Sequence, residues 1–429
     1  MKNIIFFSSL LILLAYFSCT SEKNIVQSVD FNKYLTTQYH QKAKIKLQSD
    51  LNFWQTKLAK SPQNFVYQQK LAGLQTQDFK LTGNIESLRE CEQILKDLHQ
   101  TYPNQVGILH SLVANSISRH AFVEAEKYAA LAIELGEKRY VSSLLTIDVA
   151  MERGDLELAK NTLEILGNKS QFDFLIREMK LYDQEGRLDL AIKNMEQAAE
   201  IAQSSGNQQL INWSLSNLGD MYGHDGQIQK SYDTFLQALS HNPTDFHSLK
   251  GIAWIAFSYD KNVDKAKRIL NFLKEVHPIP DYDLLLAEIA HFEDDNTLAA
   301  KYEQQFLEEA TRTDYGNMYK RYIALLNKKP NHTLQIAEAE VVERPHPMAY
   351  ELLAWSYLQN GEKVAALETL ENHVLEKTEE PDALFHAGLI LKENGKNWAA
   401  KEYLEAALEA EFELGPVAAA EIRGHLAVL

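Results

Sequence analysis

Fourteen histidines and two cysteines raise the first question, whether any of them stand where a metal ion or a nucleophile could work. A zinc site carried on one helix needs two histidines four residues apart, as in H-E-x-x-H, or tightly spaced Cys and His ligands. No such pair occurs in the chain. His241, Asp245 and His247 flank Pro243, so two imidazoles and a carboxylate could meet there; a polar turn between two helices has the same composition. The chain has no G-x-S-x-G nucleophile elbow, no G-x-x-x-x-G-K-[ST] phosphate loop and no G-x-G-x-x-G turn. Glu293-Asp294-Asp295-Asn296 is acidic but lacks the alternating ligands and central glycine of a calcium loop. Paired carboxylates such as Glu308-Glu309 recur along helical faces and single out no acid–base pair. The expectation is a non-catalytic chain without a metal or cofactor.

The elements that would carry side chains into a binding site are easier to read. In Trp213-Ser-Leu-Ser-Asn-Leu-Gly-Asp-Met-Tyr222, the residues Leu215, Leu218, Gly219 and Tyr222 fall three or four apart, on one helical stripe. Gly219 leaves a gap where a second helix can come close. His224-Asp225-Gly226 stops the helix, with glycine free to take a left-handed cap. A second helix follows with Tyr232, Phe235, Ala238 and Leu239 on one face and Phe235 as the large knob. Asn242-Pro243 ends it, because proline has no N–H to donate and clashes with the preceding turn. Neither helix can bury its stripe alone, so the pair needs neighbours.

Variants of this pair recur at roughly 34 residues, the period of a helical solenoid. Gly154-Asp-Leu-Glu-Leu-Ala159 and Gly186-Arg-Leu-Asp-Leu-Ala191 repeat the turn and second helix upstream, and Ala125, Ala129 and Ala132 fit an earlier copy without the glycine. Downstream, one unit runs from Phe246 to Pro278. A degenerate one has Leu286, Ala287 and Ala299, and a weaker one spans about Thr313 to Pro345. Two clear copies follow: Leu353-Ala-Trp-Ser-Tyr357 with Gly361, Ala366 and Leu370, then Gly388, Leu391, Gly395, Ala400, Leu404 and Ala407. The stretch from Phe65 to Pro103 reads as another pair, with Cys91, Leu95 and Leu98 in its second helix. Cys91 sits at a small-residue packing position and is expected to be a buried core thiol.

These residues resemble the tetratricopeptide repeat (TPR). Leu218, Gly219 and Tyr222 match its first helix, and Gly226, Phe235, Ala238 and Pro243 match the rest; Ser231 stands where alanine is usual. The resemblance covers roughly residues 100–415 and implies an all-α, right-handed superhelical solenoid of antiparallel helix pairs. It also implies a concave groove lined by the first helix of each pair. Counting the family's groove positions from Asn212 and Phe246 selects Trp213, Ser216, Asp220, Gly223 and His224, then His247, Lys250, Trp254, Phe257 and Ser258. The same count reaches Trp355 and Phe385 further on. The candidate partner-binding set is therefore Trp213, Asp220, His224, Lys250, Trp254, Phe257 and Trp355, with Trp213, Trp254 and Phe257 expected close together. Aromatic anchors beside charges are the composition of a binding hot spot, and the same spacing also suits packing between helices. The family's carboxylate clamp needs lysine and asparagine at two groove positions; Lys250 meets the first and Trp254 occupies the second.

At the N-terminus, Lys2 precedes an apolar run from Ile4 to Phe17, and Ser18-Cys19 follows. That run has the length of a signal-peptide core and falls short of the ~20 residues that cross a bilayer. Cys19 resembles the lipid-attachment cysteine of bacterial lipoproteins, although Tyr16 and Phe17 depart from the usual leucine-then-small pattern. A cleaved signal with an incidental cysteine fits the same residues. The expected organisation is a signal peptide (1–18), a tether after the lipidated cysteine (19–30), N-terminal helices with a divergent repeat (31–103), a TPR array (104–415) and a capping helix (416–429).

A formal charge of −16 argues against nonspecific nucleic-acid binding, which needs a basic face. The expectation is a scaffold or adaptor in the bacterial cell envelope, lipid-anchored to a membrane facing the periplasm or the cell surface. It would bind a protein or peptide in its groove and no nucleic acid. Two alternatives remain at this level: a SusD-like glycan-capture lipoprotein and an outer-membrane assembly lipoprotein. For the anchor, metabolic labelling with a palmitate analogue is expected to disappear in Cys19→Ala. Label that persists in that variant would remove the lipoprotein assignment.

Overall fold

The computed structural model describes residues 24–312, 315–327 and 329–429, so the segment expected to be a signal peptide and Cys19 lie outside the described residues. The described residues form no strand; they are an all-α solenoid of antiparallel helix pairs. After a short N-terminal turn and a long helix, Thr37–Lys60, ten helical hairpins follow in the described chain. In order they occupy 65–101, 106–135, 139–166, 172–205, 208–241, 246–276, 281–312, 320–343, 347–373 and 381–409. A last helix, Glu411–Leu426, is broken at Gly415, and Pro416 begins its second part. No helix among the described residues is long and apolar enough to cross a membrane.

The fifth hairpin shows why the sequence folds this way. Asn207 caps Gln208–His224, its side chain accepting from the N–H groups of Gln209 and Leu210 at 3.0 and 3.3 Å. Leu215, Leu218 and Tyr222 are buried, as are Tyr232, Phe235, Ala238 and Leu239 in the return helix Ile228–His241. The gap at Gly219 is filled by the Phe235 ring, which a Cβ would meet at 2.5 Å, and Gly251 of the sixth hairpin receives the same ring from its other side at 2.5 Å. One aromatic knob thus locks three helices through two glycines. Ser231, where the repeat usually has alanine, donates from Oγ to the Gly219 carbonyl at 2.6 Å. In the first hairpin Cys91 is buried and free, with Thr76 Oγ1 3.4 Å from its sulfur, and burial pushes the thiol pKa up.

The array also coils back onto itself. Gly83 touches Pro278 and Ile279; Asn317 donates to the His120 carbonyl at 3.0 Å. Arg153 donates to the carbonyls of Val342 and Glu343 at 2.8 and 2.6 Å, Gly186 abuts Glu379, and Gly223 abuts Phe412. Each of these joins the internal turn of one of the first five hairpins, or a residue beside it, to the end of the hairpin five places later or the residues just after it. The bonded residues are 189 to 197 apart in sequence.

Two expectations change. Residues 24–30, read as part of a polar tether, are docked across the fifth and sixth hairpins. Ile25 and Val26 donate N–H bonds to the Asp260 carboxylate at 2.9 Å each, and Gln27 donates to the Tyr232 hydroxyl at 3.0 Å. Val26 and Phe31 are fully buried; two apolar anchors in a polar stretch show no periodicity, which is why the sequence reads as a linker. The first helix of the sixth hairpin also changes character, from α (Phe246–Trp254) to a π turn at Ile255–Tyr259. Asp260 N–H reaches back to Ile255 O at 3.1 Å, and the extra residue per turn rotates everything beyond Trp254.

Gly154 and Gly226 separate the two roles of a turn glycine. Both have positive φ, but a Cβ on Gly154 would lie 2.7 Å from the Pro345 carbonyl oxygen, whereas Gly226 faces open space. Gly226→Ala is expected to cost about 1 kcal/mol from the backbone conformation. Gly154→Ala should cost a further 1–3 kcal/mol, roughly the toll of overpacking a contact. Urea unfolding of both variants measures the difference, and equal costs would mean the contact between coils contributes nothing.

Candidate functional site

Several cavities lie within the coil, walled by first helices, turns and connections. The one nearest the predicted groove has a volume of about 630 Å³ and draws its lining from the fifth, sixth, seventh, eighth and tenth hairpins. Its floor is the chain's own C-terminal segment. Trp254 Nε1 and Ser258 Oγ both donate to the Phe412 carbonyl, at 2.9 and 2.7 Å, and Gly415 turns the chain away with φ 80° and ψ 165°. A side chain at residue 415 would collide with Glu288 Oε1 and the Trp254 ring.

The predicted residues are distributed unevenly around this space. Asp220, His224, Lys250 and Trp254 line it. Asp220 accepts from His247 Nε2 at 2.5 Å; burial opposes the charged imidazole, but the carboxylate outweighs it and raises the His247 pKa. His224 Nδ1 lies 3.7 Å from the Glu413 carboxylate. Trp213 stands elsewhere. It packs edge-on against Phe172 at 6.0 Å and lines a separate cavity of about 980 Å³ formed with the N-terminal hairpins. Phe257 is a core residue with 1 % exposure, because the π turn carries it from the interior face into the packing between helices. It still meets Trp254, ring centroids 5.8 Å apart. Trp355 is half-buried and stacked on His386 at 4.1 Å and 6°, a packing role.

His241, Asp245 and His247 do not converge. His241 bonds Gln208, Asp245 caps the helix at Ser248, and His247 turns to Asp220.

The sequence reading missed Asp281, Glu288, Tyr322 and Asp382, all of which line the 630 Å³ cavity. They come mostly from the degenerate seventh and eighth hairpins, where no turn glycine sets the register. Tyr322 exposes 46 % of its surface and lines the same cavity. Glu288 lies deep in the same space. Burial, then repulsion from Asp382, pushes its carboxyl pKa up to about 8, against partial relief from Lys261. A neighbouring cavity of about 570 Å³ shares His224 and Glu413 and adds Asp183 and Glu380. Burial raises both of these, and Glu413 is pushed up to about 7 by burial and its acidic neighbours. The interior is therefore an acidic, partly protonated space.

Beside it, Glu351 is fully buried and ion-paired with both Arg321 and His386, so three successive first helices are tied by one carboxylate. Burial alone would raise its pKa, but the Arg321 guanidinium and the contact with His386 hold it below the usual carboxylate value.

Raised carboxyl values fix the sign of a pH effect. Between the ordinary value of 4.5 and about 8, the folded chain keeps a proton on Glu288 that the unfolded chain releases. This contribution to stability is present below pH 4.5 and is lost as pH rises through 8, with a slope of at most about 1.4 kcal/mol per pH unit. Glu288→Gln is expected to flatten the decline in melting temperature between pH 5 and pH 8. A decline as steep as the parent's, measured by scanning calorimetry, would show that ionising Glu288 is not its cause.

The tetratricopeptide repeat family model matches residues 180–205 and 381–413. No curated protein matches. Among solved structures, a tetratricopeptide repeat protein from Parabacteroides merdae aligns at 17 % identity, covering 60 % of this chain and 98 % of that one, with a TM-score of 0.34. Yeast Tom70 aligns at 11 % identity over 94 % and 96 % of the two chains, TM-score 0.35. A human IFIT1 dimer with m7Gppp-AAAA aligns at 14 % over 83 % and 81 %, TM-score 0.46. The hairpins described above and the two matched segments agree: this chain is an all-α solenoid of helix pairs, two segments of which match the tetratricopeptide repeat.

Proposed function

We propose that the chain is a non-catalytic scaffold that holds a polypeptide partner against the interior face of its coil. It would be held at a membrane of the bacterial cell envelope by lipid on Cys19. The observation that carries the reading is the convergence of first helices from five hairpins on one shared space, lined by Lys250, Trp254 and Asp220. A surface assembled from successive repeats suits an extended ligand, because each hairpin contributes a side chain at a regular step. The anchor rests on the apolar run ending at Phe17 and on Cys19 alone, and a lipid there would retain the protein without a spanning helix.

A photo-crosslinking residue placed at Lys250, compared with one at the exposed Glu405, tests the binding face in cells. Lys250 lines the interior and has no ion-pair or hydrogen-bond partner among the described residues. One discrete adduct from position 250, and none from 405, is the expected pattern. Equal labelling from both positions, or no adduct from 250, would overturn the assignment of the interior as the partner's surface.

A further inference from the structure

Three carboxylates from two hairpins, Asp281 and Glu288 of the seventh and Asp382 of the tenth, line the 630 Å³ cavity together with the aromatic rings of Trp254 and Tyr322. Two of the three have local partners: Asp281 accepts from the Tyr319 hydroxyl, and Asp382 lies 3.5 Å from Arg321. Glu288 has neither a hydrogen-bond nor an ion-pair partner among the described residues, although protein encloses it and its Oε1 rests against Gly415. A carboxyl enclosed in this way, facing a cavity and unpartnered, is costly to retain. Lys250, on the same wall, offsets one of these charges and leaves the lining acidic.

From this arrangement we infer that the cavity is a binding site for an organic cation, a primary ammonium or guanidinium carried on an apolar stem. Carboxylates accept charge-assisted hydrogen bonds from such a head, and the Trp254 and Tyr322 rings offer π faces to the head and apolar surface to the stem. A hydrated divalent metal fits poorly, since aromatic walls supply no oxygen ligands. The cation could be a free polyamine or a lysine or arginine side chain from a polypeptide. A free polyamine would satisfy the inference with no protein partner at all, so it stands apart from the scaffold reading.

A chain of charge −16 attracts any polycation diffusely, and the experiment must separate that from a site. Titration calorimetry at about 0.15 M salt, where the screening length is about 8 Å, suppresses the diffuse part. Spermidine and a capped Gly-Lys-Gly tripeptide are the two probes. Saturable binding of either supports the site, and the probe that binds identifies the source of the cation. Glu288→Gln and Asp382→Asn are each expected to weaken it about tenfold or more, a change of ~1.4 kcal/mol. Glu402→Gln and Glu405→Gln on the exposed face should leave it unchanged. Because Gln matches the protonated Glu288 carboxyl in size and charge, Glu288→Gln should bind less while melting no lower, a split that a purely structural role would not give. Absence of saturable binding by both probes, or equal losses in the exposed-face variants, would overturn the inference.

Discussion

Everything in this molecule depends on the contact between successive coils. In an open solenoid each repeat touches its nearest neighbours and stability is close to a sum of local terms. Here the internal turn of each early hairpin, or a residue beside it, also rests on the end of the hairpin five places later or the residues just after it, from Gly83 against Pro278 to Gly223 against Phe412. Those long-range contacts convert a linear array into a closed body. They also bring side chains of distant hairpins, Tyr322 among them, to line one cavity. The raised carboxyl values of Glu288 and Glu413 follow from burial more than from any single neighbour, since it is the largest cause for each.

The hairpins were legible in the sequence because their information is local. Gly219 and Phe235 stand in register, and the structure uses them as a knob and its socket. What the sequence did not show is the partner of that knob on the other side, Gly251, or the second reason for the turn glycine at 154, which is the Pro345 carbonyl. Both depend on residues brought together by the coil. The site followed the same division. Asp220, His224, Lys250 and Trp254 were found by counting along well-marked repeats, whereas Glu288 and Tyr322 lie in repeats too degenerate to count. Phe257 failed for a different cause: one π turn shifts the phase of its helix, and no residue type in Ile255–Tyr259 announces it.

The C-terminal segment has a double position in this arrangement. Its helix covers the exposed end of the last hairpin, and its first residues cross the interior and accept hydrogen bonds from Trp254 and Ser258 through the Phe412 carbonyl. The aromatic anchor identified from sequence is thus already engaged by backbone of the same chain. The polar lining beyond it, with Lys250 on one wall and Glu288 on another, remains open to the cavity.

The docking of residues 24–30 bears on how the molecule would respond to force. The covalent chain enters the solenoid at the Thr37–Lys60 helix, but its first firm attachment is to Asp260 and Tyr232, in the sixth and fifth hairpins. A pull applied upstream of Asn24 is therefore borne first near the middle of the coil, across a short clamp of hydrogen bonds and the buried Val26 and Phe31. Until that clamp opens, neither the first hairpin nor the helix before it carries load. The solenoid would hang from its waist rather than from its first hairpin.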